Sequence, residues 1–445
     1  MNSVTAICFF LFIVIFVLTK NYKCQLVLII LSLIGNMFYF ELIGSRLLLY
    51  QMTALMAIPY YISGNFSSLN KLIRGIKLEY FVLIILGLLF GFIFPWEDNS
   101  SIRSWSQLSG GRAFVALLRI FIELLLVYYI YHIFKTGKVS QLFLLKLIAI
   151  ILISLSLFSM IDLALNHQIW KLFFSKSAYN PILDSRFLGW SHEPRSFGRL
   201  LLIPWFILLI YSQNGFYIRN SKLALLLGFI CIISSLSFST YIIFFTGIII
   251  LALSRFSLKK VQNGLATFII GCFFIFSAYK IVSKTDYFQS GLVYRFKMVT
   301  EGKVGFQMSG EPYIFTSFEV FDRAALNFFY NNIDYIYFGT GPNLISIPSS
   351  KYLDQSASIT FNDTLVGIPG VGIINHISRS GVIGLLLYLL SFVKVNRYIK
   401  KSDNKVLKEV FAVVAVTYLI IGNPWIYFVI GYVVAQSELT LNKKI

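Results

Sequence analysis

AFVALLRIFIELLLVYYIYHIFKTGKVSQLFLLKLIAIILISLSLFSMIDLAL, residues 113–165, is two apolar runs joined by a short basic turn. Each run is long enough to cross the hydrocarbon core of a bilayer as a helix, which takes about 20 residues. The turn between them, FKTGK (134–138), carries Lys135 and Lys138 and no acid. Basic turns of this kind stay on the cytoplasmic side of a membrane. The rest of the chain repeats the pattern. Its 445 residues are 57% hydrophobic and 13% charged, and a soluble domain needs about 25% charged residues to cover its surface. The sequence predicts an all-α polytopic membrane protein.

Apolar windows fall near residues 4–19, 24–40, 46–62, 79–95, 113–134, 142–165, 199–212, 222–237, 239–255, 262–282, 371–393, 407–421 and 423–436. That gives about 13 spans, within a range of roughly 11 to 14 because several are short or interrupted by Gly or Pro. The first window has no basic stretch before it and no small-residue cleavage site after it, so it reads as a membrane helix and not as a signal peptide. The loops at 20–23, 70–77, 134–138, 217–222, 255–260 and 394–408 are basic and nearly free of acid. The alternate loops at 95–101, 166–198 and 283–370 carry the acids. This alternation fits an outward N-terminus and an inward C-terminus. Three stretches follow: residues 1–282 with ten spans and the outer segment 166–198, the large outer loop 283–370, and residues 371–445 with the last spans. The net charge of +19 is therefore largely a topology signal, and no nucleic-acid partner is expected.

Cys8, Cys24, Cys231 and Cys272 lie in or beside apolar runs without CxxC spacing, and His132, His167, His192 and His376 form no HExxH pattern. Neither a disulfide framework nor a metal site is expected, and no cofactor.

The informative cations are those on the outer side, where positive-inside pressure opposes them: Arg46, Arg103, Arg112, Arg186, Arg195, Arg199, Arg295, Arg323 and Arg379. Guanidinium presents a planar fork suited to phosphate and carboxylate oxygens. Either an anionic ligand or the outer-side acids hold these residues. In HEPRSFGRL (192–200) Pro194 suits a helix's first turn and Glu193 its positive end, whereas Arg195 and Arg199 are disfavoured there. Those two arginines are four residues apart and share a face, so an anion such as a pyrophosphate between them would relieve their repulsion. His192 is a general base, a hydrogen-bond donor or a plain loop histidine.

The long loop holds FEVFDRAALNFFY (318–330), whose Phe318, Phe321, Ala325, Phe328 and Phe329 form an apolar helical face with Asp322 and Arg323 off it. This helix lies flat on the membrane or caps the bundle. YFGTGPN (337–343) follows, and Gly339 and Gly341 make a turn whose backbone can approach something closely. Within the apolar runs, Arg112, Arg119 and Glu123 share one helix face, and Arg119 and Glu123 are either an internal pair or direct ligand contacts. Lys146 and Asp162 in the next run pose the same question, with Lys146 also able to snorkel to the cytoplasm. NHISRSGVIGLLLYLL (375–390) puts Asn375, His376 and Arg379 at the start of a span, where Arg379 needs an anion or a carboxylate.

HEPRSFG before a span, an Arg-containing helix in a large outer loop, FGTGPN, and a span with RSGVIGLLLYLL together resemble Wzy-type O-antigen and capsule polysaccharide polymerases, relatives of the O-antigen ligases. The likeness runs chiefly over 188–390 and rests on the order and spacing of the motifs. It implies a GT-C-like fold in the bacterial inner membrane with 283–370 as a periplasmic loop. The implied activity is metal-independent glycosyl transfer that joins repeat units carried on undecaprenyl pyrophosphate. Membrane lipid and a chain-length regulator are its implied partners. Glu193, Arg323, Gly339 and Gly341 match the motif positions. Ligases carry a histidine about 11 residues before the glycine of the late span; that position here is Gly370, and His376 is closer. On this reading Glu193, His192, Arg195 and Arg323 are the catalytic candidates, and Arg199, Arg295, Arg379, His376, Gly339, Gly341, Arg112 and Arg119 bind the pyrophosphate end. Trp96, Trp105, Trp190, Tyr294 and Tyr337 either stack on sugars or form the interfacial belt. An O-antigen ligase and a lipid-linked oligosaccharide flippase are the alternatives.

Overall fold

The computed structural model describes residues 21–34, 39–42, 45–55, 66–96, 108–173, 194–235, 237–254, 320–352 and 369–442, with a few single positions between them. The apolar windows at 4–19 and 262–282 lie outside the described residues, as do His192, Glu193 and Arg295 and the side chain of Arg195. In chain order the helices are α1 (Tyr22–Ile34), α2 (Leu49–Leu55), α3 (Ser67–Leu72), α4 (Arg74–Leu88), α5 (Ser109–Lys135), α6 (Gln141–Ala164), α7 (Gln168–Phe173), α8 (Pro194–Gln213), α9 (Ser221–Ser234), α10 (Phe238–Ser254), α11 (Val320–Asn331), α12 (Asp334–Phe338), α13 (Gly372–Lys401), α14 (Lys405–Ile421) and α15 (Trp425–Asn442). A π-helical turn, Leu89–Ile93, extends α4.

Four helical stretches are long and apolar enough to cross a membrane: Arg74–Ile93, Ser109–Lys135, Gln141–Ala164 and Gly372–Lys401. Shorter apolar helices run over Tyr22–Ile34, Phe197–Gln213, Ser221–Ser234 and Ser239–Ser254. The chain is a helical membrane protein.

The ends of the helices follow from local chemistry. Ser140 accepts the amide of Phe143 at 3.2 Å and caps α6, just after Gly137 turns the chain at φ +68°. Asn404 caps α14 the same way through the amide of Leu407, 3.1 Å away. α8 begins on Pro194, where the missing amide proton costs nothing. At the other end of α14, Gly422 takes a left-handed conformation and its amide reaches the Tyr418 carbonyl at 2.7 Å. Asn423 Oδ1 then accepts the Trp425 amide at 2.9 Å and starts α15. GNP (422–424) is thus a three-residue corner between two helices.

The bundle is built around α15, whose residues from Trp425 to Ala435 are all buried. A helix that is apolar all round belongs in the interior. It packs along α5 and α14, and Gly431 lets the α5 backbone come close, since a Cβ there would overlap the Val127 carbonyl oxygen. α4 lies against α13, α9 against α6 and α8, and α10 against α14.

Several expectations are corrected. The windows at 24–40 and 46–62 are not two uninterrupted helices. α1 stops at Ile34, and Tyr39–Leu42 and Ser45–Leu48 pair as an antiparallel hairpin with Glu41 opposite Arg46. A short apolar run looks the same as strand or helix. The helix expected to start a span at 371 is broken at Gly381, which has φ +67° and ψ −175°, a region only glycine adopts readily. His376 and Arg379 therefore sit on a short helical stretch that precedes the break. Asp322 and Arg323 do not face away from the packing: both are buried, alongside Ala324, Ala325, Phe328 and Phe329. Asp322 Oδ1 accepts the Val371 amide at 3.0 Å, which ties α11 to the start of α13. Finally, Asp162 does not pair with Lys146. Its carboxylate takes His167 Nδ1 at 2.8 Å and the Trp170 amide at 2.7 Å, capping α7, while Lys146 is exposed.

Candidate functional site

α5, α8, the first turns of α13 and the GNP corner surround a cavity of 360 Å³. Three guanidiniums line it, each from a different helix: Arg119 from α5, Arg199 from α8 and Arg379 from α13. Glu123, one turn beyond Arg119, also lines it, as do Asn343, Asn375, Asn423, His376 and the phenols of Tyr50, Tyr418 and Tyr427. Among the described residues the wall thus holds three cations and one carboxylate. Guanidinium groups converging in this way present donors suited to an anionic group.

Arg379 is held from behind. Glu79 on α4, 2% exposed, places one carboxylate oxygen against Arg379 Nη2 at 2.9 Å, Arg379 Nε at 3.1 Å, Ser380 Oγ at 2.9 Å and His376 Nδ1 at 3.1 Å. His376 Nε2 meets the Tyr418 hydroxyl at 2.9 Å. A buried carboxylate and guanidinium are tolerable only when paired and hydrogen-bonded in this way. The pair fixes the guanidinium at the cavity wall. Arg199 is oriented by a hydrogen bond from its Nε to Ser239 Oγ, 3.0 Å away. The Tyr50 hydroxyl donates to Glu123 Oε1 at 3.2 Å, and Tyr427 lines the same cavity.

Two glycines set the geometry of this wall. Gly339 (φ +78°, ψ −179°) lies against the backbone of 379–381, and a Cβ on it would come within 2.7 Å of the amide nitrogens of Ser380 and Gly381. Gly381 in turn lies against the Tyr337 carbonyl, leaving no room for a side chain. Thr340 completes the clasp, its amide and its hydroxyl each 2.8 Å from the Ser378 carbonyl. The close approach expected of the GTGP turn is to the chain's own backbone at Arg379.

The candidates separate as follows. Arg119, Arg199, His376 and Arg379 come together at the cavity. Arg195 falls one turn before Arg199 on α8. Arg112 donates to Ser346, and neither it nor the buried Arg323 lines the cavity. Gly341 turns at φ +96° beside Leu344, next to Pro342 and Asn343 of the lining. Trp96 packs among Phe90, Phe328 and Tyr335 and donates to the Thr340 carbonyl at 3.2 Å, so it braces the turn. Sequence reasoning passed over Glu79, Tyr50, Tyr418, Tyr427 and Asn423. The Asn423 side chain is 3% exposed and its Nδ2 has no hydrogen-bond partner among the described residues. A buried donor left in that state is costly, and here it lines the cavity.

No family model matches the chain, and no curated protein matches it either.

Proposed function

We propose that this chain is a metal-independent glycosyltransferase of the bacterial inner membrane, joining undecaprenyl-pyrophosphate-linked oligosaccharide units on the periplasmic side. The observation that carries the reading is the convergence of Arg119, Arg199 and Arg379 on one cavity. In such a reaction the anomeric carbon leaves a lipid diphosphate for a hydroxyl of the next unit. Negative charge grows on the departing diphosphate, and preorganised cations in a water-poor site lower that barrier most effectively. Arg379 is immobilised by Glu79, and Asn423 Nδ2 adds a neutral donor. Arg195, one turn before Arg199, belongs to the same proposal. The motif resemblance over 188–390 points the same way.

The test is complementation of a strain lacking the native gene, with the surface polysaccharide resolved on a gel. Arg119→Ala, Arg199→Ala and Arg379→Ala should each cut chain growth by about 10²–10³-fold and leave single-unit caps on the lipid anchor. A full ladder from all three variants would overturn the proposal. Loss of every surface sugar, caps included, would assign the chain instead to ligation or to flipping.

A further inference from the structure

Glycosyl transfer to a hydroxyl needs a proton acceptor beside the cations, and among the described residues the cavity wall holds one carboxylate, Glu123. We infer that Glu123 is the general base that takes the proton of the attacking hydroxyl; this rests on the function proposed above. Among the described residues, the other acceptors near the cavity are committed. Glu79 does not line it, and its oxygen is occupied by Arg379, Ser380 and His376. His376 has one ring nitrogen against Glu79 and the other against Tyr418. Among the described residues Glu123 accepts a hydrogen bond from the Tyr50 hydroxyl. A carboxylate offers about four acceptor positions, so capacity is left for a hydroxyl from a ligand. The Tyr50 phenol also orients it, as a base needs to be oriented.

Its place relative to the cations suits the chemistry. Arg119 and Glu123 are four residues apart on α5, so their Cβ atoms are about 5–6 Å apart on one face. The proposed cation for the leaving diphosphate and the proposed base thus line the same cavity from adjacent turns of one helix. In the step, the acceptor oxygen forms a bond to the anomeric carbon while its proton passes to Glu123. The bond from that carbon to the diphosphate oxygen breaks, and its electron pair stays on the lipid diphosphate. Protonated Glu123 then returns its proton to solvent or to the departing diphosphate. No other reactant is required.

The experiment uses the full-length protein in vesicles of phosphatidylethanolamine and phosphatidylglycerol. Undecaprenyl pyrophosphate is the binding probe, and polysaccharide length in the deletion strain is the readout of turnover. Glu123→Gln keeps an oxygen that can accept from the Tyr50 hydroxyl. It should bind the probe as the wild type does and slow chain growth by about 10²–10⁴-fold, while Glu123→Asp recovers part of the rate. Wild-type ladders from Glu123→Gln would overturn the inference. So would a loss of probe binding in parallel with growth, which would make Glu123 a binding or structural residue. Should the Gln variant fail to fold, the Asp variant decides: slowed growth with intact binding supports the inference, and unimpaired growth ends it. A wild-type protein that ignores the probe would instead bring down the underlying function, and this inference with it.

Discussion

Glu79 and Arg379 are 300 residues apart in sequence and form one unit in space. The consequence is measurable at the level of the side chain. Glu79→Ala leaves a buried guanidinium uncompensated, which costs about 3–5 kcal/mol, and should lower the thermal unfolding midpoint in detergent. Removing the charge at both positions, as Glu79→Ala with Arg379→Leu, should recover most of that loss of stability without recovering chain growth. A double-mutant cycle separates the pair from its neighbours. Arg119, His376 and Arg379 were legible in the sequence because a charge or imidazole inside or against an apolar run is costly. Glu79 was not, because it stands at the very edge of the apolar window 79–95, beside the basic stretch NKLIRGIK, where a charge at the membrane boundary needs no explanation. Tyr418 is one of 26 tyrosines and has no local signature. Its role depends on where two distant helices meet.

The element that shapes the site is the break at Gly381. Gly381→Ala would force a side chain into the Tyr337 carbonyl and out of a backbone region that L-residues avoid at a cost of about 1–3 kcal/mol. The expected result is a protein that still inserts but loses chain growth, because Arg379 lies two residues from the break. Protease sensitivity at 337–343 should rise in the same variant as the clasp opens. Gly339→Ala should behave alike, since the two glycines face each other. The apolar stretches that become α5, α6 and α8 were readable from length and composition. The hairpin at 39–48 and the broken α13 were not. A glycine inside a helical pattern is as compatible with a continuous helix as with a kink, and only the partner backbone from 337–340 decides between them.

For the molecule as a whole, orientation is the expectation to check. If the basic loops face the cytoplasm, a single cysteine at Asn166, in a background without the native thiols, should react with a membrane-impermeant maleimide added outside the inner membrane. One at Lys138 should react only after permeabilisation. Both positions are exposed, so folding does not hide either. The reverse pattern would turn the bundle over and place the cavity's arginines under a different set of substrates. Charge alternation yields this expectation from sequence alone, because it acts through short loops and needs no tertiary contact.

The burial of α15 on every side bears on how the protein is made. A ribosome delivers this helix after all the other described ones, yet it ends up innermost. The wall that carries Tyr427 is therefore complete only once this helix is in place between α5 and α14. A polypeptide halted at Ile421 would lack its central pillar, not a peripheral strut, and quality-control proteases should find it at once.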